Sequence, residues 1–354
     1  MLLLGECPGL TLSTGVRLTA SCSKSSPPAV LAPWCYLRNF ERRFALTRHF
    51  LRDDDISPEE QSEILDLALK LKASPYSEKT FAGPQTVALI FDKTSTRTRV
   101  SFAVGVSDLG GAPLIMDSGS SQLGVKESVA DTAKVLERQV AMIVWRTFAQ
   151  SGLEQMAANS KVPVINSLSD DFHPCQLLAD LMTIREQLGS LNGKVLSYIG
   201  DASNNMCHSY MLAGVTAGMK IRIAGPAGYQ PNPKIYRRAE EIALQTGGSI
   251  DVYTDPKHAL IDSDVVATDT WISMGQEAEK EQKLKDFAGF TLDSELMSIA
   301  KPEAIVLHCL PAYRGFEIAA DVLDGPQSVV WDQAENRLHA QKALMVWLAA
   351  RSKA

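Results

Sequence analysis

The chain has 354 residues, 45% of them hydrophobic and 21% charged, enough to bury two cores of ordinary domain size. A net charge of −6 with no sustained basic face argues against nucleic acid or an anionic membrane as partner, and no apolar run approaches the roughly 20 residues of a transmembrane span. Six scattered cysteines without zinc-ligand spacing to histidine argue against a disulfide scaffold or a metal site and are read as reduced thiols of a cytoplasmic protein.

Residues 1–45 differ from the rest. Five basic residues (Arg17, Lys24, Arg38, Arg42, Arg43) stand against Glu6 and Glu41, around Ser21-Cys-Ser-Lys-Ser-Ser-Pro-Pro28. The stretch is read as disordered and as a dispensable or non-native extension, with a transit peptide as the alternative. Ser57-Pro-Glu-Glu60 then has capping-box spacing and opens a helix running to Lys72. Strands and helices alternate from there: Thr86 to Phe91, Thr96 to Leu109; Ala112 to Asp117, Glu127 to Glu137; Ala141 to Thr147, Leu153 to Ala158; Val162 to Ser167, Pro174 to Gln187. After Gly189-Ser-Leu-Asn-Gly193 a second series begins with the strand Lys194 to Gly200. It continues through Asn204 to Ala217, Lys220 to Gly225, Pro233 to Gln245, Ser249 to Thr254, Val265 to Thr270, the charged helix Gln276 to Phe287 and Ala304 to His308. A long amphipathic helix, Ala334 to Arg351, closes the chain. This pattern predicts an α/β fold of two doubly wound domains with parallel sheets, residues 46–188 and 189–333.

The run Asp92-Lys-Thr-Ser-Thr-Arg-Thr-Arg99 sets four hydroxyls and two guanidinium groups where the strand 86–91 hands over to a helix, with Ser95 as the expected N-cap. Backbone N–H groups, the positive end of the helix dipole and Arg97 then converge on one anion, a phosphate trap. Arg99, one turn deeper, is expected to pair with an acid outside the site. His173-Pro-Cys-Gln176 opens another helix after a strand and a polar loop, with His173 near the cap and Gln176 at an exposed helix start. Arg146 ends a third strand, and parallel sheets bind ligands at that edge. Alone, His173 reads as a capping or structural histidine, and Cys309, like Cys175 and Cys207, as a small buried hydrophobe; the company of the other motifs reverses the first reading. Gly200-Asp-Ala-Ser-Asn-Asn205 follows a strand but lacks the later glycines of a dinucleotide fingerprint, which leaves a Rossmann-type dehydrogenase the weaker alternative.

Six motifs in order, Ser95-Thr-Arg-Thr-Arg99, Ser121-Gln-Leu-Gly124, His173-Pro-Cys-Gln176, Asp269-Thr-Trp-Ile-Ser-Met-Gly275, His308-Cys-Leu-Pro311 and Glu335-Asn-Arg337, resemble those of the transcarbamylases. The resemblance runs from about Arg48 to the C-terminus and is strongest to the ornithine-specific, actinobacterial forms. It implies transfer of the carbamoyl group of carbamoyl phosphate to L-ornithine, giving L-citrulline and phosphate in arginine biosynthesis, without metal or cofactor. Also implied are a site in the interdomain cleft, a last helix (334–354) that completes the first domain, and a homotrimer with shared sites.

Residue by residue, the resemblance assigns phosphate to Ser95, Thr96, Arg97 and Thr98 with Arg146. The carbonyl oxygen goes to Thr98, Arg146, His173 and Arg337, and the amide nitrogen to Gln176 and backbone carbonyls around Cys309 and Leu310. Pro174 and Cys175 belong to the same carbamoyl-phosphate segment. Asn205, Asp269, Ser273 and Met274 are implied to hold ornithine. For orienting and deprotonating the δ-amine, Asp269 and Cys309 compete with the departing phosphate. Gln122, with Lys126, is implied to reach a neighbouring subunit's site, against a plain surface loop on the residues alone. Aspartate, acetylornithine and putrescine are the rival acceptors; the direction of the pathway and any assembly beyond a trimer stay open.

Overall fold

A computed structural model describes residues 47–117, 126–272 and 277–352, all within one compact unit spanning residues 45–354. The expected extension 1–45, the loop residues Ser121 to Gly124 with Gln122, and Ser273 and Met274 lie outside the described residues.

Helix α1 (Pro58–Ala73) starts at the expected box: Ser57 Oγ accepts from Glu60 N–H, and the Glu60 carboxylate accepts from Ser57 N–H. Such a cap is worth about 1 kcal/mol. Strands β1 (Thr86–Phe91), β2 (Ala112–Asp117), β3 (Met142–Arg146) and β4 (Val164–Leu168) form a parallel sheet in the order β2-β1-β3-β4. Between them run α2 (Arg97–Asp108), α3 (Val129–Leu136) and α4 (Gln150–Ala158), and α5 (Pro174–Leu188) follows β4. Alternation decides the layers. Val87, Leu89, Val144 and Ile165 face a core shared with α2 and α5, whereas Ala88, Ile90, Ile143 and Trp145 face α3 and α4.

The second sheet has the order β7-β6-β5-β8-β9, built from β5 (Val195–Ile199), β6 (Lys220–Ala224), β7 (Ser249–Tyr253), β8 (Val265–Thr268) and β9 (Ile305–His308), all parallel. Helices α6 (Asn205–Thr216) and α7 (Pro233–Thr246) cover one face. The other carries α8 (Pro256–Leu260), α9 (Lys280–Asp286), α10 (Ser294–Met297) and α11 (Ala320–Leu323). The three short helices α8, α10 and α11 were not expected. Four or five residues are too few to show a helical period.

The last helix, α12 (Val330–Ser352), begins four residues before the expected Ala334 and packs on α1, α2 and α5 of the first sheet. Polar anchors fix its register: Lys342, fully buried, pairs with Asp108 at 2.8 Å, and Asn336 Nδ2 donates to Thr183 Oγ1 at 2.8 Å. Removing one member of such a buried pair costs about 3–5 kcal/mol. Both sheets reverse direction once, between β1 and β3 and between β5 and β8, and those carboxyl-end crevices are where a doubly wound sheet takes its ligand. No helix among the described residues is long and apolar enough to cross a membrane.

Candidate active site

A cleft of about 680 Å³ opens at the carboxyl ends of both sheets and is lined by the turns after β1, β3, β4, β5, β8 and β9. It gathers Ser95, Thr96, Arg97, Thr98, Arg146, His173, Asn205, Asp269, Cys309, Leu310 and Arg337, residues far apart in the sequence.

On the first wall, the turn after β1 is braced by Asp92, whose N–H donates to the Arg146 carbonyl at 2.9 Å and whose Oδ2 accepts from Trp145 Nε1 at 2.8 Å. Helix α2 then starts one residue later than expected. Thr96, not Ser95, is its N-cap, in helical conformation (φ −90°, ψ −58°) and without a side-chain cap. A helix start that no side chain closes keeps its N–H groups for an anion. Arg97 donates to the Leu310 carbonyl across the cleft. Arg99 pairs with Asp117 and lies over the Phe91 ring, away from the cleft as anticipated.

Arg146 is buried and its Nε has no partner among the described residues. Burial first, then the Arg337 charge, pull it down to about 10, so it stays cationic at neutral pH. His173 is the N-cap of α5, 5% exposed, with Nδ1 unpartnered. Its backbone N–H is held by Ser209 Oγ at 2.9 Å. Burial, then the charges of Arg337, Arg146, Arg97 and Lys93, drive its pKa well below the usual 6.5. A neutral imidazole therefore sits beside three guanidinium groups. Two buried nitrogens without partners among the described residues, Arg146 Nε and His173 Nδ1, mark where a polar ligand belongs.

Gln176 is a correction: it is not at an exposed helix start but 2% exposed behind the cleft wall. Its Nε2 donates to Asp180 Oδ1 at 2.8 Å and its Oε1 accepts from Arg337 Nη1. Helix α12 lies over α5 there and supplies Arg337, whose Nη2 donates to Thr98 Oγ1 at 3.1 Å. Pro174 and Cys175 are also buried; the Cys175 thiol donates to the Asn166 carbonyl at 3.3 Å, and burial pushes it up to about 12. Neither is among the residues lining the cleft.

On the facing wall, Gly200 ends β5 at φ 142°, a region that favours glycine, and turns the chain into the loop before α6. That loop is pinned by Asp201, which pairs with the buried Lys283 at 2.9 Å and accepts from Ser203 N–H and Oγ–H. Asn205 Nδ2 donates to the Ser169 carbonyl at 2.7 Å. Asp269 follows β8 and is 7% exposed; its Oδ1 accepts from Thr270 N–H at 2.8 Å and from the Cys309 thiol at 3.1 Å. Burial raises the Asp269 pKa. Burial and then the Asp269 carboxylate hold Cys309 well above the usual thiol range, so it is an S–H donor rather than a thiolate.

Behind them lies a pair that sequence reasoning missed. His308 Nδ1 accepts from Leu310 N–H at 2.9 Å, which makes Nε2 the donor to Glu317 at 3.2 Å. Both are essentially sealed from solvent. Donor atoms of Asp269, His308 and Cys309 lie within 4.8 Å of one another, but each is already engaged by these bonds. Lys126 is exposed beyond β2.

Two family models match the chain. Residues 48–186 match the aspartate/ornithine carbamoyltransferase carbamoyl-P binding domain, and residues 192–348 match the Asp/Orn binding domain of the same family. The ornithine carbamoyltransferase of Renibacterium salmoninarum is 65% identical over 311 residues, 87% of this chain and all of that protein. That of Clavibacter sepedonicus is 63% identical over 307 residues, again 87% of this chain and all of its own. Among solved structures, ornithine carbamoyltransferase from Pyrococcus furiosus superposes with a TM-score of 0.81 at 45% identity, covering 84% of this chain and 96% of that one. The anabolic enzyme from Campylobacter jejuni gives 0.81 at 42%, covering 85% and 98%.

Proposed function

Because the chain belongs to the aspartate/ornithine carbamoyltransferase family, we propose that it is an ornithine carbamoyltransferase, which converts carbamoyl phosphate and L-ornithine into L-citrulline and phosphate. The observation that carries this reading is the division of the cleft. Three arginines and a neutral histidine stand on one wall, with a carboxylate and a protonated thiol on the other.

In this reading the phosphate sits at the start of α2, on Ser95, Thr96, Arg97 and Thr98, with Arg146 closing over it through charge-assisted bonds. The carbonyl oxygen faces Thr98, Arg146, His173 and Arg337, which stabilise the charge it gains in the tetrahedral transition state. Gln176 and the carbonyls around Cys309 and Leu310 orient the carbamoyl nitrogen. The δ-nitrogen of ornithine attacks the carbamoyl carbon, the bond to the phosphate oxygen breaks, and the amine proton leaves with phosphate or solvent. A neutral His173 donates to the developing oxyanion without adding a fourth cation. Asp269 attracts the acceptor's ammonium end, Cys309 donates to Asp269, and Asn205, Ser273 and Met274 take the α-amino and α-carboxylate groups. The first sheet with α12 is then the carbamoyl-phosphate half and residues 189–333 the ornithine half.

Asp269 favours ornithine over aspartate, whose second carboxylate it repels. Citrulline formation is expected with ornithine in a panel that includes aspartate, acetylornithine and putrescine; a higher rate with any other acceptor overturns the assignment.

The proposal extends to a homotrimer with shared sites. Its support is the exposure of apolar side chains on the edge strand β2 (Leu114, Ile115) and on the helices packed to either side of that sheet (Val100 and Val104 of α2, Val135 of α3), all more than 40% exposed. Gln122 follows β2 by five residues in the sequence, and in this proposal it serves the neighbour's site together with Lys126. A role in cytoplasmic arginine biosynthesis accords with the anabolic relative from Campylobacter jejuni.

A further inference from the structure

Gln333 lies in the first turn of α12, is 1% exposed and does not line the cleft. It nevertheless touches both halves of the site. Its Oε1 accepts from the backbone N–H of His308 at 2.9 Å, and its Nε2 donates to Asp180 Oδ1 at 2.7 Å. The same Oδ1 accepts from Gln176, while Oδ2 accepts from Tyr210 at 2.6 Å.

Followed outward, these bonds close on themselves. From Gln176 the chain passes to Arg337 and Thr98; from His308 it passes through Leu310 to Arg97, the residue beside Thr98. The direction of every link is forced. A backbone N–H at His308 only donates, so the Gln333 oxygen must face it and the Gln333 nitrogen must face Asp180. Asp180 accepts from Gln176, so the Gln176 oxygen must face Arg337. Turning either amide over sets like against like in a buried site and leaves groups on both sides unsatisfied.

We infer that Gln333 is a positioning residue that locks Gln176, on the carbamoyl side, and the His308–Leu310 turn, on the acceptor side, into one arrangement, so that filling one half of the site orders the other. This rests on the assignment of substrates proposed above. Among the described residues, Gln333 alone bonds directly to both the Asp180 hub and the β9 exit.

The test measures coupling in the intact enzyme. L-norvaline, which is ornithine without its δ-amine, serves as an unreactive acceptor, titrated with and without carbamoyl phosphate. In the wild type, carbamoyl phosphate is expected to tighten norvaline on the order of tenfold. Gln333→Met keeps the length of the side chain and loses both bonds. It is expected to abolish most of that tightening while the affinity for carbamoyl phosphate alone stays within about threefold. Gln333→Glu keeps an acceptor for His308 and reaches Asp180 only when protonated. Its surroundings are Asp180, the Tyr210 hydroxyl, Arg337 and His308, so its coupling should rise as pH falls from 8 to 6 while that of the wild type stays flat.

Melting curves check that each variant is folded; if Gln333→Met is not, the Gln333→Glu pH series decides. A folded variant with wild-type coupling throughout this range overturns the inference and leaves the proposed function intact. A wild-type enzyme that forms no citrulline overturns both.

Discussion

Arg97→Ala tests the phosphate assignment most directly, because among the described residues Arg97 makes one side-chain hydrogen bond, to the Leu310 carbonyl. Losing that bond costs the fold about 1 kcal/mol, a shift of only a few degrees in melting temperature. In the proposed complex the same guanidinium faces a dianion in a cleft also lined by Arg146 and Arg337. Removing a charge-assisted donor there is expected to cost about 2–5 kcal/mol, roughly 30- to 5,000-fold in kcat/KM. Steady-state citrulline formation at varied carbamoyl phosphate reads the loss. Inhibition by inorganic phosphate should weaken in parallel, since it probes the same contacts without the carbamoyl group. Arg97→Lys should recover only part, because an ammonium lacks the paired donors. A folded Arg97→Ala enzyme with near-normal kcat/KM and phosphate inhibition would refute the phosphate-trap argument.

Cys309→Ala should lower turnover more than carbamoyl phosphate affinity, and the rise of activity from pH 6 to 8 should survive it, since the thiol is held protonated and the δ-amine is what must lose a proton. A flattened profile would mean that the thiol itself titrates. Deleting residues 1–45 should leave activity and melting temperature nearly unchanged, as the family match begins at residue 48; loss of folding in the truncated chain contradicts this. An Arg97→Ala chain and a chain substituted at both Gln122 and Lys126 should each be nearly inactive alone but regain activity as mixed trimers, because some sites then draw both intact halves. Co-purifying mixed trimers without activity would place that loop within its own subunit.

Strand–helix alternation was legible because period-2 and period-3.6 patterns are local. So were the capping box at Ser57 and the outward pairing of Arg99. Legibility ended where partners are supplied from far along the chain. Gln176 reads as an exposed first-turn residue until α12, some 150 residues later, covers it with Arg337 and Gln333. His308 and Glu317 sit on either side of the turn through Pro311, and no spacing rule joins them. Helix α4 starts three residues early at Gln150 because Ala149 carries no capping group to announce it. The start of α2 departs from the capping rule for a different reason. Thr96 makes no side-chain cap there, nor does His173 at the start of α5, and a local rule that fails at two helix starts lining the cleft is itself a mark of the site.

On the proposed assignment of the two walls, charge balance in the cleft also orders events. Arg97, Arg146 and Arg337 crowd together with Lys93 nearby, and burial first, with mutual repulsion added to it, lowers Arg146 and Arg337. Arriving carbamoyl phosphate offsets that repulsion with two negative charges. An ornithine arriving first brings another ammonium toward the same cations, with Asp269 to receive it on a wall where Asp201 is already paired with Lys283. Once the dianion is bound, the cations serve the chemistry in two ways. They draw charge onto the leaving phosphate and the carbonyl oxygen, and they disfavour the protonated amine, which must shed its proton before it can attack. Asp269 opposes the second effect, and its raised pKa limits how strongly it does so. A buried carboxylate that bonds to a thiol rather than to a second cation can capture an ammonium and still release a neutral amine.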